Sequence, residues 1–350
     1  MELLKKVTEG IKPADREMMR RARERVDNLT KPLGSLGRLE EMAVRLCGII
    51  GSITPDVGKK AVIVMAADNG VYCEGVAAYP QQVTALMAKA MVEGTAGVAV
   101  FANLLGADLK VFDSGMKEPV DYKGIINKRI RPGTANIAEG PAMTRDEAVR
   151  AIETGIQAAL DAADSGYRMI AVGEVGIGNT TTGSAVFAAL EGLDPSLTTG
   201  RGAGLDDAGL SVKIRVVERA LEINKPDPGD AVDVLGKVGG LDIAGMAGVF
   251  LGAAYRRIPV VMDGFISSVA ALAAIRLNPL AAEYVFPSHL SAEKGGGLVL
   301  ERLGIKPCLD LEMRLGEGSG AVLMFGIIEA AAAALVQMKT FEEAGIKRNV

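Results

Sequence analysis

Tryptophan is absent from this 350-residue chain, histidine occurs once, and aromatic residues make up only 4% of it. A lone imidazole, His289, excludes a histidine-rich metal centre and any mechanism that needs two imidazoles. With aromatics scarce, core volume has to come from Ala, Val, Ile, Leu and Met. Hydrophobic residues reach 49% and charged residues 23%, a globular rather than a disordered balance. Cysteine is sparse as well: Cys47, Cys73 and Cys308 lie far apart with no C-x-x-C pair. That spacing signals neither a disulfide framework nor a zinc knuckle and fits a reducing cytoplasm. No charge sign dominates either. The 39 Lys and Arg against 43 Asp and Glu leave a formal −4, so a nucleic-acid partner is not expected. The first 27 residues are charged throughout and lack the apolar core of a signal peptide. The longest apolar stretch, 318–338, holds Glu329 and is dominated by alanine, so it reads as a buried helix and not as a membrane span.

Against those absences stand short β-branched runs alternating with helical periodicity. Two helices are expected first, from about Ala14 to Asn28 and from about Leu36 to Ile50, on either side of a turn at Lys31-Pro32-Leu33-Gly34. Strands are expected at 61–67, 109–113, 168–174, 258–263, 282–287 and 307–311. Continuous apolar strands separated by helices indicate a parallel sheet covered on both faces. Right-handed crossovers then make a Rossmann-like, doubly wound, mostly parallel α/β domain the expected fold. Its expected span is 60–315, with 1–59 and 316–350 forming a small helical lobe from both termini. Polar residues cluster where the strands end, at Asp68-Asn69-Gly70, Asp113-Ser114-Gly115, Gly173 to Gly176 and Asp263-Gly264. In open α/β sheets the ligand crevice lies beyond these carboxyl ends.

Three glycine-rich segments carry candidate chemistry. In GEVGIGNTTTGSA, 173–185, a strand runs through glycines into a helix expected near Thr180. Exposed amides at such a helix start form an anion site, and a phosphate fits; the plainer reading is a structural turn with Asn179 or Thr180 as N-cap. The segment matches neither a P-loop nor a full dinucleotide fingerprint. In TTGRGAGLDDAGLSVK, 198–213, Lys213 lies about two turns into a helix, within reach of an anion or else merely exposed. Asp206 and Asp207 are assigned to capping. In RLGEGSGA, 314–321, Glu317 sits between glycines ahead of a long apolar helix. Burial would raise its pKa and suit it to general-base work, although a charge there is more commonly a cap. His289 reads as a surface or hydrogen-bonded loop histidine, and Met87, Met91 and Met246 as core filler.

Together with KPLGSLGRLE (31–40), AADNGVYCEGVAAYPQQVT (66–84), VGGLDIAGMAGVFLGAA (238–254) and DGFISS (263–268), these segments resemble the nicotinate-nucleotide:dimethylbenzimidazole phosphoribosyltransferase family over nearly the whole chain. The resemblance implies transfer of ribose phosphate from nicotinate mononucleotide to a benzimidazole, giving α-ribazole phosphate and nicotinate in cobalamin assembly. It implies a homodimer and small-molecule substrates, with neither cofactor nor metal. By family likeness Glu317 is the base and Glu174 a second carboxylate near the ribose or the base. The phosphate would rest on Gly176, Gly178, Asn179 and Thr180, with Lys213 neutralising it. The aromatic-base pocket would involve Ala77, Tyr79, Pro80, Leu86 and Leu315. The family often has Ser where this chain has Ala77 and Gln near Leu86, so a more apolar pocket is expected. Two other classes remain open. A nucleotide-binding oxidoreductase would need a dinucleotide fingerprint after the first strand, and Ala66-Ala67-Asp68-Asn69-Gly70 does not supply one. A non-enzymatic nucleotide sensor would not need Glu317 free in a glycine loop.

Overall fold

Runs such as KAVIVMAA have no polar face to turn toward water, and the fold buries every residue of that run. In the computed structural model, which describes residues 2–347, it forms β1 (Lys60–Ala67). Five further strands follow: β2 (Ala107–Gly115), β3 (Ile125–Asn127), β4 (Met169–Val175), β5 (Val260–Met262) and β6 (Val285–Pro287). All neighbours pair in parallel, in the order β3-β2-β1-β4-β5-β6. That is the doubly wound order, in which the chain's progress across the sheet reverses between β1 and β4 while every strand stays parallel. Two strand expectations need correction. Residues 307–311 form no strand: they meet the residues after β6 through an isolated bridge from Leu309 to His289 and through the Cys308 N–H, which donates to the Ser288 carbonyl at 2.7 Å. The first half of 282–287 is the end of a 3-10 helix, Pro279–Tyr284, which leaves β6 three residues long. The edge strand β3 had no sequence signal, being only three residues, partly exposed, with no apolar run around it.

Fourteen α-helices occur among the described residues. Ahead of the sheet come α1 (Glu2–Gly10), α2 (Arg16–Asn28) and α3 (Arg38–Ile50). The sequence reading lacked α1; it placed the other two within two residues. Asp15 starts α2 by accepting from the Met18 N–H at 2.9 Å. Between β1 and β2 lie α4 (Val83–Val92) and α5 (Gly97–Leu104), and α6 (Arg145–Asp164) leads into β4. A long excursion after β4 holds α7 (Asn179–Glu191), α8 (Pro195–Thr198), α9 (Asp207–Asn224), α10 (Ala231–Val238) and α11 (Leu241–Tyr255). Helix α12 (Phe265–Leu277) joins β5 to β6, and α13 (Gly296–Leu303) and α14 (Ser319–Gln337) complete the chain.

The apolar segment 319–337 and the stretch 83–104 are each long and apolar enough to cross a membrane by length and composition. Here the second is broken into α4 and α5, while α14 packs against β4, β5, α3 and α5. Its Glu329 ion-pairs with Lys60 at the start of β1. The two chain ends meet: Leu29 bridges Thr340, and Arg25 Nη1 donates to Glu343 Oε1 at 2.9 Å. Helix α1 packs instead on α6 and α11.

Helices α6 and α11 approach through glycines. A Cβ on Gly155 would fall 1.8 Å from the Gly245 carbonyl oxygen, and one on Gly248 would fall 1.9 Å from that of Ile152. Neither backbone can yield without separating the helices, and α11 lies directly on β1 and β4. We expect Gly248→Leu to lower unfolding free energy by about 1–3 kcal/mol or more, the range for overpacking a tight core. Denaturant titration would show this as a lower midpoint, and an unchanged midpoint would contradict so close a crossing.

Candidate active site

Because the chain's progress across the sheet reverses between β1 and β4, loops leaving these two strands splay apart and open a crevice at their carboxyl ends. Gly176 lets the β4 loop press against β1, since a Cβ there would lie 2.2 Å from the Ala67 carbonyl oxygen. Thr84 of α4 then clamps the loop. Its hydroxyl donates to Asp68 Oδ1 at 2.7 Å and accepts the Ile177 N–H at 3.0 Å. Gly178, at φ 94°, is the N-cap of α7, so neither Asn179 nor Thr180 is the cap; both lie in the first turn. The Asn179 amide turns back to the Gly176 carbonyl at 3.1 Å, and its side chain donates to Glu174 Oε2.

Glu174, one residue before the end of β4, is buried. Burial first, then the charges of Asp242 and Asp263, push its carboxyl up to about 8, so it carries a proton at neutral pH. Asp242, in the first turn of α11, accepts the Ile243 N–H at 3.0 Å, and burial lifts it to about 7. Lys213 is fully buried in α9, where its Nζ donates to Thr180 Oγ1 at 2.7 Å. Burial lowers its pKa to about 8, and the charge of Glu293 opposes that shift. The exposed-lysine alternative is therefore overturned. Asp206 caps α9 by accepting from Gly209 N–H at 2.8 Å, as the capping assignment has it, whereas Asp207, in the first turn, ion-pairs with Arg201 instead of capping.

Glu317 enters the crevice from the turn before α14. Gly316, Glu317 and Gly318 have φ of 80°, 66° and 92°, three successive left-handed residues of which only the middle one bears a side chain. Its Oε2 accepts the Val98 N–H of α5 at 3.1 Å. Burial raises its carboxyl above the usual range, and the Asp263 charge adds to the effect. Close behind, Asp263 at the end of β5 accepts the N–H groups of Gly318 and Ala321 at 3.2 and 3.0 Å.

A cavity of about 460 Å³ joins these groups. Glu174, Gly176, Asn179, Thr180 and Glu317 line it, as do Tyr79 and Leu315; Gly178 is not among its lining residues, and Lys213 stands behind Thr180. Ala77, Pro80 and Leu86 are not part of it, and Leu86 is 61% exposed. The α4 face that reaches the cavity carries Val83 and Met87, four residues apart, so Met87 packs against the core and is cavity wall as well. Successive helix positions are rotated by about 100°, which turns Leu86 outward. His289 is no surface histidine: it is buried, its Nδ1 lies 3.1 Å from Ser288 Oγ, and its ring reaches the cavity. Arg314 and Glu293 also line the cavity without having been singled out beforehand. Asp242 could have been noticed as an acid inside an otherwise apolar helix, a position where charge is rare without a purpose.

A phosphoribosyltransferase family model matches residues 11–346. The chain is 50% identical over 347 residues to the nicotinate-nucleotide–dimethylbenzimidazole phosphoribosyltransferase of Alkaliphilus metalliredigens, covering 99% of each chain. It is also 50% identical over 349 residues to the protein of the same name in Geobacter metallireducens, again covering 99% of each. A crystal structure of nicotinate-nucleotide–dimethylbenzimidazole phosphoribosyltransferase from Thermus thermophilus superposes with a TM-score of 0.90 at 43% identity, covering 96% of this chain and 100% of that one.

Proposed function

The chain belongs to the family of nicotinate-nucleotide–dimethylbenzimidazole phosphoribosyltransferases, and from that premise we propose that it moves ribose phosphate from nicotinate mononucleotide to dimethylbenzimidazole or a related aromatic base. The products are α-ribazole 5′-phosphate and free nicotinate, for the nucleotide loop of cobalamin. One observation carries the reading: a carboxylate with raised proton affinity, a glycine-lined helix start and an apolar wall share a single cavity.

Glu317 takes the N–H proton of the benzimidazole while the other ring nitrogen attacks the anomeric carbon from the face opposite nicotinate. The C1′–N bond breaks, and its electron pair neutralises the departing pyridinium, so no acid or metal is required to activate the leaving group. Attack from the opposite face turns the β linkage into α. Glu174, protonated beside the crevice, offers a hydrogen bond to the ribose or the base. The phosphate rests along Gly176, Asn179 and Thr180, with Gly178 behind them as the helix cap, and nearer the Thr180 side because the Ile177 and Asn179 amides are already engaged. Lys213 supplies positive charge from behind Thr180. The base lies against Tyr79, Val83, Met87 and Leu315. The same reading takes the protein as a cytoplasmic homodimer, with 1–59 and 316–350 as its small helical lobe.

The test is nicotinate release from nicotinate mononucleotide and dimethylbenzimidazole in buffer containing EDTA. Absence of release with intact mononucleotide binding would favour a sensor, and nicotinamide-dinucleotide reduction would favour an oxidoreductase. We also expect a bell-shaped kcat/KM for the mononucleotide. Its acid limb lies above the ordinary glutamate range, because Glu317 must lose a proton that burial makes it hold more tightly. Its alkaline limb falls near pH 8, as Lys213 loses the charge that attracts phosphate. Glu174 titrates in the same region, so Lys213→Met assigns the limb: it should vanish in that variant, and its persistence would transfer it to Glu174.

A further inference from the structure

We propose that Asp263 is the positioning residue for Glu317: from the end of β5 it seats the first turn of α14 and so fixes where the Glu317 carboxylate stands in the cavity. This rests on the reading of Glu317 as the base. Helix α14 has a glycine as its N-cap and no side-chain cap of its own, which leaves its first N–H groups in need of acceptors. Asp263 provides them from 55 and 58 residues away, one carboxylate oxygen for Gly318 and the other for Ala321. These amides bracket the helix start immediately after Glu317.

The turn they hold is a strained one. A non-glycine residue at φ 66° between two left-handed glycines persists only where its surroundings over-determine it. On one side Ser319 closes the turn, its N–H and hydroxyl both donating to the Gly316 carbonyl at 3.0 and 2.8 Å. On the other side stands Asp263, which is itself held: its N–H donates to Ser267 Oγ and its carbonyl accepts from Ser288 Oγ, each at 3.1 Å. Nor is there slack behind the turn. A Cβ on Gly320 would lie 2.0 Å from His289 Nδ1 and 3.0 Å from Asp263 Oδ1. The nearest cationic candidate for Asp263 is His289, with Nδ1 3.8 Å from Oδ1. A buried carboxylate is costly to maintain, and here its oxygens are spent on the two backbone amides that place Glu317.

The test is a double-mutant cycle with Asp263→Ala and Asp263→Asn, each made alone and in the Glu317→Gln background. Nicotinate release gives kcat and KM, and thermal unfolding confirms the fold. Asp263→Ala is expected to lower kcat by about 10²-fold, the scale for misplacing a catalytic group by roughly 1 Å. KM for the mononucleotide should stay within about threefold, because the lost interaction belongs to the transition state. Asp263→Asn, which keeps one acceptor oxygen, should fall between it and the parent. In the Glu317→Gln background neither change should lower kcat further by more than about threefold, since groups acting as a unit are not additive. Losses that multiply, or a rise in KM matching the fall in kcat, would show that Asp263 meets substrate itself and would overturn the proposal. So would full turnover in either folded variant. If the Ala variant is not recovered folded, the Asn variant carries the same cycle. Full activity of Glu317→Gln alone would be a different failure, removing the base assignment and the inference with it.

Discussion

Glu317→Gln is expected to lower turnover by the ~10²- to 10⁴-fold typical of losing a positioned general base, while nicotinate mononucleotide binding stays nearly intact. The amide matches the carboxylate in shape and still accepts the Val98 N–H through its carbonyl oxygen, so the left-handed turn and the wall of the cavity should persist. What it lacks is proton affinity. Replacement also removes a buried negative charge from beside Asp263, and that relieves repulsion rather than adding strain. Single-turnover kinetics under saturating substrates, beside calorimetric titration with the mononucleotide, separate chemistry from binding. Unchanged turnover would move the base assignment to Glu174.

Lys213→Met should act on the opposite side of the reaction. A charge-assisted hydrogen bond to phosphate is worth about 1.5–3 kcal/mol, so KM for the mononucleotide should rise roughly 10- to 100-fold. Folding should not suffer. The ammonium is buried at a desolvation cost large enough to bring its pKa to about 8, and methionine fills similar space without that penalty. We therefore expect an unchanged or raised Tm together with the loss of affinity. Free nicotinate, which has no phosphate, provides the control ligand: its inhibition constant should barely move. A KM within twofold of the parent, on the scale of surface charges, would show that the charge of Lys213 serves only the packing around Thr180.

How far each of these residues was legible in advance follows from the range of the forces involved. β1, β4 and β5 were readable from largely apolar runs, because a strand buried on both faces has no polar side to show, and β2 from Val111-Phe112 within a run that also carries Lys110 and Asp113. β3 escaped because three half-exposed edge residues carry no such run, and 307–311 misled because its short apolar run forms an isolated bridge instead of a ladder. The loop from Gly173 into α7 and the Gly-Glu-Gly turn at 317 were legible, since glycine spacing is local chemistry. Leu86 was misjudged for Val83 and Met87 because residues on one helical turn differ in direction by angles that only the docked helix makes meaningful.

By itself the chain's order of residues determined the layer architecture, the glycine-rich loop after β4 and the family, since periodicity, glycine placement and motif order are written along the chain. Only the tertiary structure decided which polar ends meet. Strand order places β1 between β2 and β4, and thereby brings Thr84 onto the β4 loop; the crossover to β5 carries Asp263 to a helix that begins 56 residues later. It also decided the proton affinities. Desolvation depends on what covers a group, and Glu174, Asp242 and Lys213 are covered by segments remote in sequence, so no local pattern could have announced that a carboxyl here holds its proton near neutral pH.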